Sequence, residues 1–288
     1  MDARHFLGLE PAGDPLHWRL PVTTAVATPG RFLYGGCGLA AGIVALEEAT
    51  GRPTVWATAQ YLTYAPTGSV VDWEVVIAAS GRHTTQGRAI GRVGDQEVLT
   101  VNAALGRNEL DLSGRWIDTP QVPAPGLCPP QETPAMFADS VFNRVEHRVA
   151  KGRLMSELDG KPGDGRTMSW TRLPGQLEPS AATLAVIGDY VSAGVSQPLG
   201  VRTMGRSLDN TLRVAQLVPT EWVLCDIHMH ALVGGFGHGL AYLWAQDGTL
   251  LGIASQSISV RRWPGDHAVT RGMAASMPRT TPTTPEER

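Results

Sequence analysis

Cysteine is scarce in this chain: three occur in 288 residues, Cys37, Cys128 and Cys225, odd in number and far apart. That count and spacing argue against a disulfide framework, and a reducing cytoplasm is the expected setting. A basic surplus is missing too. The formal net charge of -3 leaves no field to gather nucleic acid, so the expected partner is a small molecule or another copy of the chain. Long hydrophobic runs are also lacking, since the longest small and apolar stretch, 35–46, falls short of the roughly 20 residues that cross a bilayer. The first residues, Met1-Asp-Ala-Arg-His5, mix charges where a secretory signal would begin basic and turn apolar. No membrane association is therefore expected. Charged residues make up only 18% against 42% hydrophobic, which excludes general disorder and allows two cores at about 150 residues each. The Thr/Pro-rich end is the exception, and a disordered tail is expected over 266–288.

Within the remainder, one order of elements occurs twice. A short strand at 17–22 leads through a Gly-rich turn to a helix over 36–50, where Leu39, Ile43, Leu46 and Ala49 recur at helical spacing before Gly51 and Pro53 stop it. Strand-like runs follow at 54–65, 70–80 with 82–93, and 97–105, separated by the turn residues of an antiparallel meander. Between 110 and 134 stand Pro120, Pro123, Pro125, Pro129, Pro130 and Pro134, and so many missing backbone donors keep this stretch out of a sheet. It reads as a surface linker between a unit at 1–109 and one at 135–265. In the second unit, strands at 144–151 and 167–172 precede a helix over 181–193, and strands return at 208–218, 222–233, 239–245 and 250–262. The fold class is α+β: each half a long helix wrapped by a curved antiparallel sheet, with the two sheets joined edge to edge so that neither leaves an open edge at the junction.

A wrapped helix of this kind describes the hotdog fold, and the residues resemble a known family. The segment from Glu221-Trp-Val-Leu224 through Ala245-Gln-Asp-Gly248 to Ile253-Ala-Ser-Gln256 and Arg261 is similar to the closing strands of bacterial acyl-CoA thioesterase II, a double hotdog protein. Arg206-Ser-Leu-Asp-Asn210 matches that family's small hydroxyl residue, aliphatic residue and Asp, with Asn210 where His is usual. Leu184-Ala-Val-Ile-Gly-Asp-Tyr190 resembles the helix carrying the family's Asp, and Tyr34-Gly-Gly-Cys-Gly-Leu-Ala40 the Gly-rich turn opening the first hotdog helix. The stretch 81–88 is like the family's Gly-x-Ser-x-x-x-x-Arg strand, with Thr for Ser, while Ser257-Ile258 replaces the Glu-Gly that commonly follows the Gln.

The resemblance implies hydrolysis of acyl-CoA by a water that Asp189, Ser207 and Gln256 activate. A thioester is already activated, so a positioned water, a base and oxyanion support suffice. The resemblance also implies a homo-oligomer, dimer or tetramer, and no cofactor. Backbone N–H groups at Gly35, Gly36, Cys37 and Gly38 are the expected oxyanion and substrate site, because first-turn donors are unpaired and glycine permits close approach. Each trio member also has a plain reading: Asp189 as a helix surface residue, Ser207 as a turn hydroxyl, Gln256 as an outward strand residue. One trio per chain is expected, since the first half's helix has no Asp and Asn102 stands as far past Gly94 as Gln256 does past Gly248.

Two rivals stand beside this reading. Asp226-Ile-His-Met-His230 sets a carboxylate and two imidazoles on one strand face, a set that can bind iron or zinc; the strand rise spaces them poorly for a metal, and a solvated face is the simpler reading. No metal is expected. Cys37, near a helix start, is either a low-pKa thiol or plain packing. A non-catalytic acyl-binding protein, or a hotdog enzyme of another acyl reaction such as hydration, is the alternative function.

Overall fold

The computed structural model describes residues 2–263, apart from 133, 174 and 176–178; the tail expected at 266–288 lies outside the described residues. The first half holds helices α1 (Ala3–Leu7) and α2 (Gly35–Thr50) and strands β1 (Glu10–Pro11), β2 (His17–Pro21), β3 (Thr54–Tyr61), β4 (Val70–Ser80), β5 (Thr84–Val93) and β6 (Gln96–Gly106). The second holds α3 (Ala181–Gly188) and α4 (Ser196–Leu199), with β7 (Glu146–Lys151), β8 (Arg166–Arg172), β9 (Thr203–Ser207), β10 (Asp209–Val214), β11 (Val223–Val233), β12 (Phe236–Ala245) and β13 (Leu250–Arg262).

The described strands form one sheet in the order β1-β2-β4-β5-β6-β3-β10-β13-β12-β11-β8-β7, with β9 paired to β13. Read outward from its centre in either direction, the order repeats: β3-β6-β5-β4-β2-β1 on one side, β10-β13-β12-β11-β8-β7 on the other. The halves are thus a duplicated hotdog joined at the β3–β10 seam. There Leu212 faces Ala57 and Thr211 faces Thr58, whose hydroxyl oxygens lie 2.7 Å apart.

The sheet's inner face and the two helices share one core, which includes Leu20, Leu39, Ile43, Leu184, Leu212 and Leu243. Removing each such side chain from water contributes about 1.5–3 kcal/mol. Small residues on α2 bring neighbours close: a Cβ on Gly42 would stand 2.6 Å from Val101 Cγ2. Residues 117–128 run across the outer face of the second half's sheet. Ile117 and Val122 pack there against a second cluster containing Trp170, Trp222 and Trp244, and Trp170 Nε1 donates to Pro123 O across 2.9 Å.

Three sequence expectations change. The second helix, expected over 181–193, ends at Gly188, and the chain continues in a 3-10 turn, Val191–Val195. The cause is tertiary: the Ser192 N–H turns away from a helical carbonyl to donate to Gln256 Oε1 at 3.1 Å. The strand expected at 208–218 stops at Val214, and an unexpected strand, β9, precedes it; both lie along β13. Asn102, matched to Gln256 by counting from turn glycines, faces outward on β6, whereas Gln256 faces the core. The hairpin loops differ in length, because Val93 pairs with Gln96 while Ala245 N reaches Thr249 O. Counting from the glycine therefore slips by one and reverses the face.

Candidate active site

Asp189 caps the C-terminal end of α3 and is 4% exposed. Four groups converge on its carboxylate. The Gly36 N–H donates to Oδ2 at 2.6 Å, while Asn210 Nδ2 at 3.2 Å, the Ser207 hydroxyl at 3.5 Å and the Gln256 side-chain amide all address Oδ1. Gln256 Nε2 also donates to Ser207 Oγ at 3.1 Å, and its Oε1 is fixed by the Ser192 amide, so this side chain can present only its NH2 to the pair. Asp189, Ser207 and Gln256, drawn from α3, β9 and β13, are thus in mutual hydrogen-bond contact.

The first half completes the cluster. Gly36 lies in the first turn of α2, where the amides lack intrahelical acceptors and the helix dipole favours negative charge. Glycine is required here by space. A Cβ on Gly35 would come within 2.9 Å of Asp189 Oδ2, and one on Gly36 within 2.9 Å of both Ala185 O and Asp189 Cβ. The Gly-rich turn, expected from sequence to offer open donors at Gly35, Gly36, Cys37 and Gly38, already spends the Gly36 N–H on the carboxylate and the Gly38 N–H on Tyr34 O. Burial pushes the Asp189 carboxyl up to about 7, against the four hydrogen bonds, which favour its charged form. A carboxyl titrating there can take a proton from water near neutral pH.

Cys37 is fully buried, and desolvation drives its thiol far above the ordinary range, so it packs rather than reacts. The Asp226 and His228 cluster is also resolved: Asp226, 2% exposed, takes two hydrogen bonds of 2.8 Å from Arg166, and His228 Nε2 lies 3.0 Å away. An arginine fills the place a cation would take. Asp226 is accordingly buried against a cation rather than part of a solvated face, and among the described residues no cluster of metal-ligating side chains occurs.

Two cavities meet at Asp189, of about 560 Å³ and about 460 Å³, sharing Tyr34, Phe142, Ser192 and Gly205 in their walls. The larger runs between the halves past Tyr61, Leu99 and Ser207; the smaller lies mostly in the second half past His147, Met168 and Ile227.

The sequence model of the acyl-CoA thioesterase C-terminal domain matches residues 124–260. A candidate thioesterase of Novosphingobium aromaticivorans is 31% identical, with a TM-score of 0.77 over 86% of this chain and 97% of that one. The chain belongs to the acyl-CoA thioesterase family. Two more distant structures share its fold: a hotdog protein of unknown function from Alicyclobacillus acidocaldarius (19% identical, TM-score 0.79, 91% of this chain and 98% of that one) and an acyl-CoA thioesterase II of Mycobacterium marinum (18%, 0.71, 91% and 99%). No curated protein sequence matches the chain. Among the described residues, no helix is long and apolar enough to cross a membrane.

Placed in this thioesterase family, the site has contributors that side-chain reading passed over. The Ser192 amide leaves no mark on the sequence as a donor, since any residue but proline carries a backbone N–H, and the Gly36 amide was expected to meet an oxyanion rather than Asp189. Gly36 alone had a signal, the run of three glycines around Cys37, which points to close approach without naming the carboxylate approached.

Proposed function

We propose that the chain hydrolyses acyl-CoA thioesters to the free acid and CoA by direct attack of a water that Asp189 activates, with Ser207 and Gln256 as its positioning partners. The observation that carries this reading is a buried carboxyl, brought to about 7 and held by four donors, at the meeting point of two cavities. A thioester has two arms either side of its carbonyl, and a two-lobed space with the base at the junction suits such a substrate.

In the proposed sequence, Asp189 accepts a proton as the water oxygen bonds to the thioester carbon. Ser207 and Gln256 set the direction of approach. The tetrahedral oxyanion is met by first-turn amides of α2, at Gly35 and Cys37, with the Gly36 amide retained by Asp189. Collapse breaks the carbon–sulfur bond, and the proton held on Asp189 passes to the departing thiolate. The carboxylate is regenerated without a covalent intermediate.

Thiol release from a panel of acyl-CoAs tests the activity. A single turnover in 18O-labelled water tests the route: direct attack places one 18O in the acid released first. An acyl-Asp189 anhydride would instead deliver an unlabelled carboxylate oxygen to that acid, and finding it unlabelled would overturn the mechanism.

A further inference from the structure

The two lobes differ in the charge they offer at the surface. The larger is buried at its Asp189 end and exposed at Arg206, Arg261 and Tyr64. Among the described residues its walls carry no carboxylate but Asp189. Among the described residues neither arginine has an acidic partner, and the Arg206 guanidinium sits 4.7 Å over the Tyr64 ring, bridging the second half's β9 to the first half's loop at the rim. Arg206 pairs across the sheet with Ser259, and Arg261 stands two residues beyond Ser259 on β13, so the two cations share one face of the β9–β13 ribbon.

The smaller lobe also has two arginines, and both donate to protein oxygens. Arg153 donates to Asp159, to Lys161 O and to Gln197 O, and Arg202 Nε reaches Met155 O at 3.3 Å. Glu132 adds a negative charge to that wall. In a chain of net charge -3, a rim with two guanidiniums and, among the described residues, no carboxylate beside them favours an anion.

Resting on the hydrolysis reading above, we infer that Arg206 and Arg261 hold the phosphates of CoA at the rim of the larger lobe, and that the acyl group therefore occupies the smaller one. The phosphates must stay where water reaches them, because a buried dianion is costly, while the pantetheine arm is thin enough to run inward along Tyr61 and Leu99 toward Asp189. Guanidinium forks suit phosphate oxygens in pairs. With that arm in the larger lobe, the thioester carbonyl stands at Asp189 and its acyl side points toward Met168, Ile227 and His147. This wall is mostly apolar, but it carries the His147 ring, which burial keeps neutral by lowering it to about 4.

Calorimetric titration of the full chain with CoA, and separately with pantetheine, which has no phosphate, tests the assignment without depending on turnover. Wild-type protein should bind CoA more tightly than pantetheine. Arg206→Ala and Arg261→Ala should each weaken CoA binding about tenfold, the double variant more, with the preference for CoA over pantetheine lost. Arg262→Ala, one residue on and outside the cavity wall, should leave CoA affinity as it is. Equal affinity of wild-type protein for CoA and pantetheine, no measurable CoA binding, an unaltered affinity in the double variant, or an equal loss in Arg262→Ala would each overturn the inference. Thiol release by wild-type protein reads the hydrolysis proposal separately, so either can fail while the other stands.

Discussion

The Gly36 amide donates to the Asp189 carboxylate across 2.6 Å, so the first turn of one half's helix holds the acidic group that ends the other half's helix. Asp189 lies at the negative end of α3 and at the positive end of α2. Its charge is opposed by burial and by its own helix, and favoured by the partner helix, which is why neither half alone could set this carboxyl near neutrality.

The glycine is accordingly a sensitive position. Gly36→Ala puts a methyl 2.9 Å from Ala185 O, a backbone atom that cannot step aside, and pushes α3 with Asp189 away. The expected outcome in steady-state kinetics is a loss of kcat on the order of 10²-fold, with a stability cost of about 1–3 kcal/mol by urea unfolding. Gly38→Ala meets Leu99 Cδ1 and, less closely, Leu33 Cδ2, both ends of flexible side chains, and should lose far less kcat. Equal losses in the two variants would show that contact with α3 is not what makes Gly36 necessary.

The raised carboxyl gives a pH signature with a definite sign. Asp189 accepts a proton only when ionised, so kcat/KM should fall as pH drops through about 7. Gln256→Glu places a second carboxylate against Oδ1 in place of a donor, and like charges should move that limb upward. A wild-type profile flat from about pH 5 to pH 9 would remove Asp189 as the titrating base.

The duplication was legible in the sequence because both signals behind it are local: helical spacing at Leu39, Ile43 and Leu46, and turn residues between period-2 runs. The early end of α3 was not, since Ala181 to Ile187 and Val191 read as one apolar run, and the break is made by Gln256, 64 residues after Ser192, taking that residue's amide. The same holds for Asn102, whose face is set by hairpin loop lengths rather than by its distance from a glycine. Among the site residues, the trio was reachable only through family order, because Ser207 and Gln256 taken singly look like any turn hydroxyl or strand amide.

Asp226 tests the rival cation site. Asp226→Asn removes a buried charge paired with Arg166 by two 2.8 Å hydrogen bonds and should lower stability by about 2–3 kcal/mol while thioester turnover continues. Chelator treatment should leave turnover unchanged. Loss of turnover to chelator, restored by zinc or iron, would bring back the metal reading of Asp226, His228 and His230.

The most direct test of the proposed chemistry is the turnover number of Asp189→Asn on an acyl-CoA that wild-type protein hydrolyses, measured together with CoA affinity. The change is near-isosteric but removes the proton acceptor. A kcat lower by on the order of 10²-fold or more, with CoA bound as before, is the expected result. A kcat equal to that of wild-type protein would contradict Asp189 as the base.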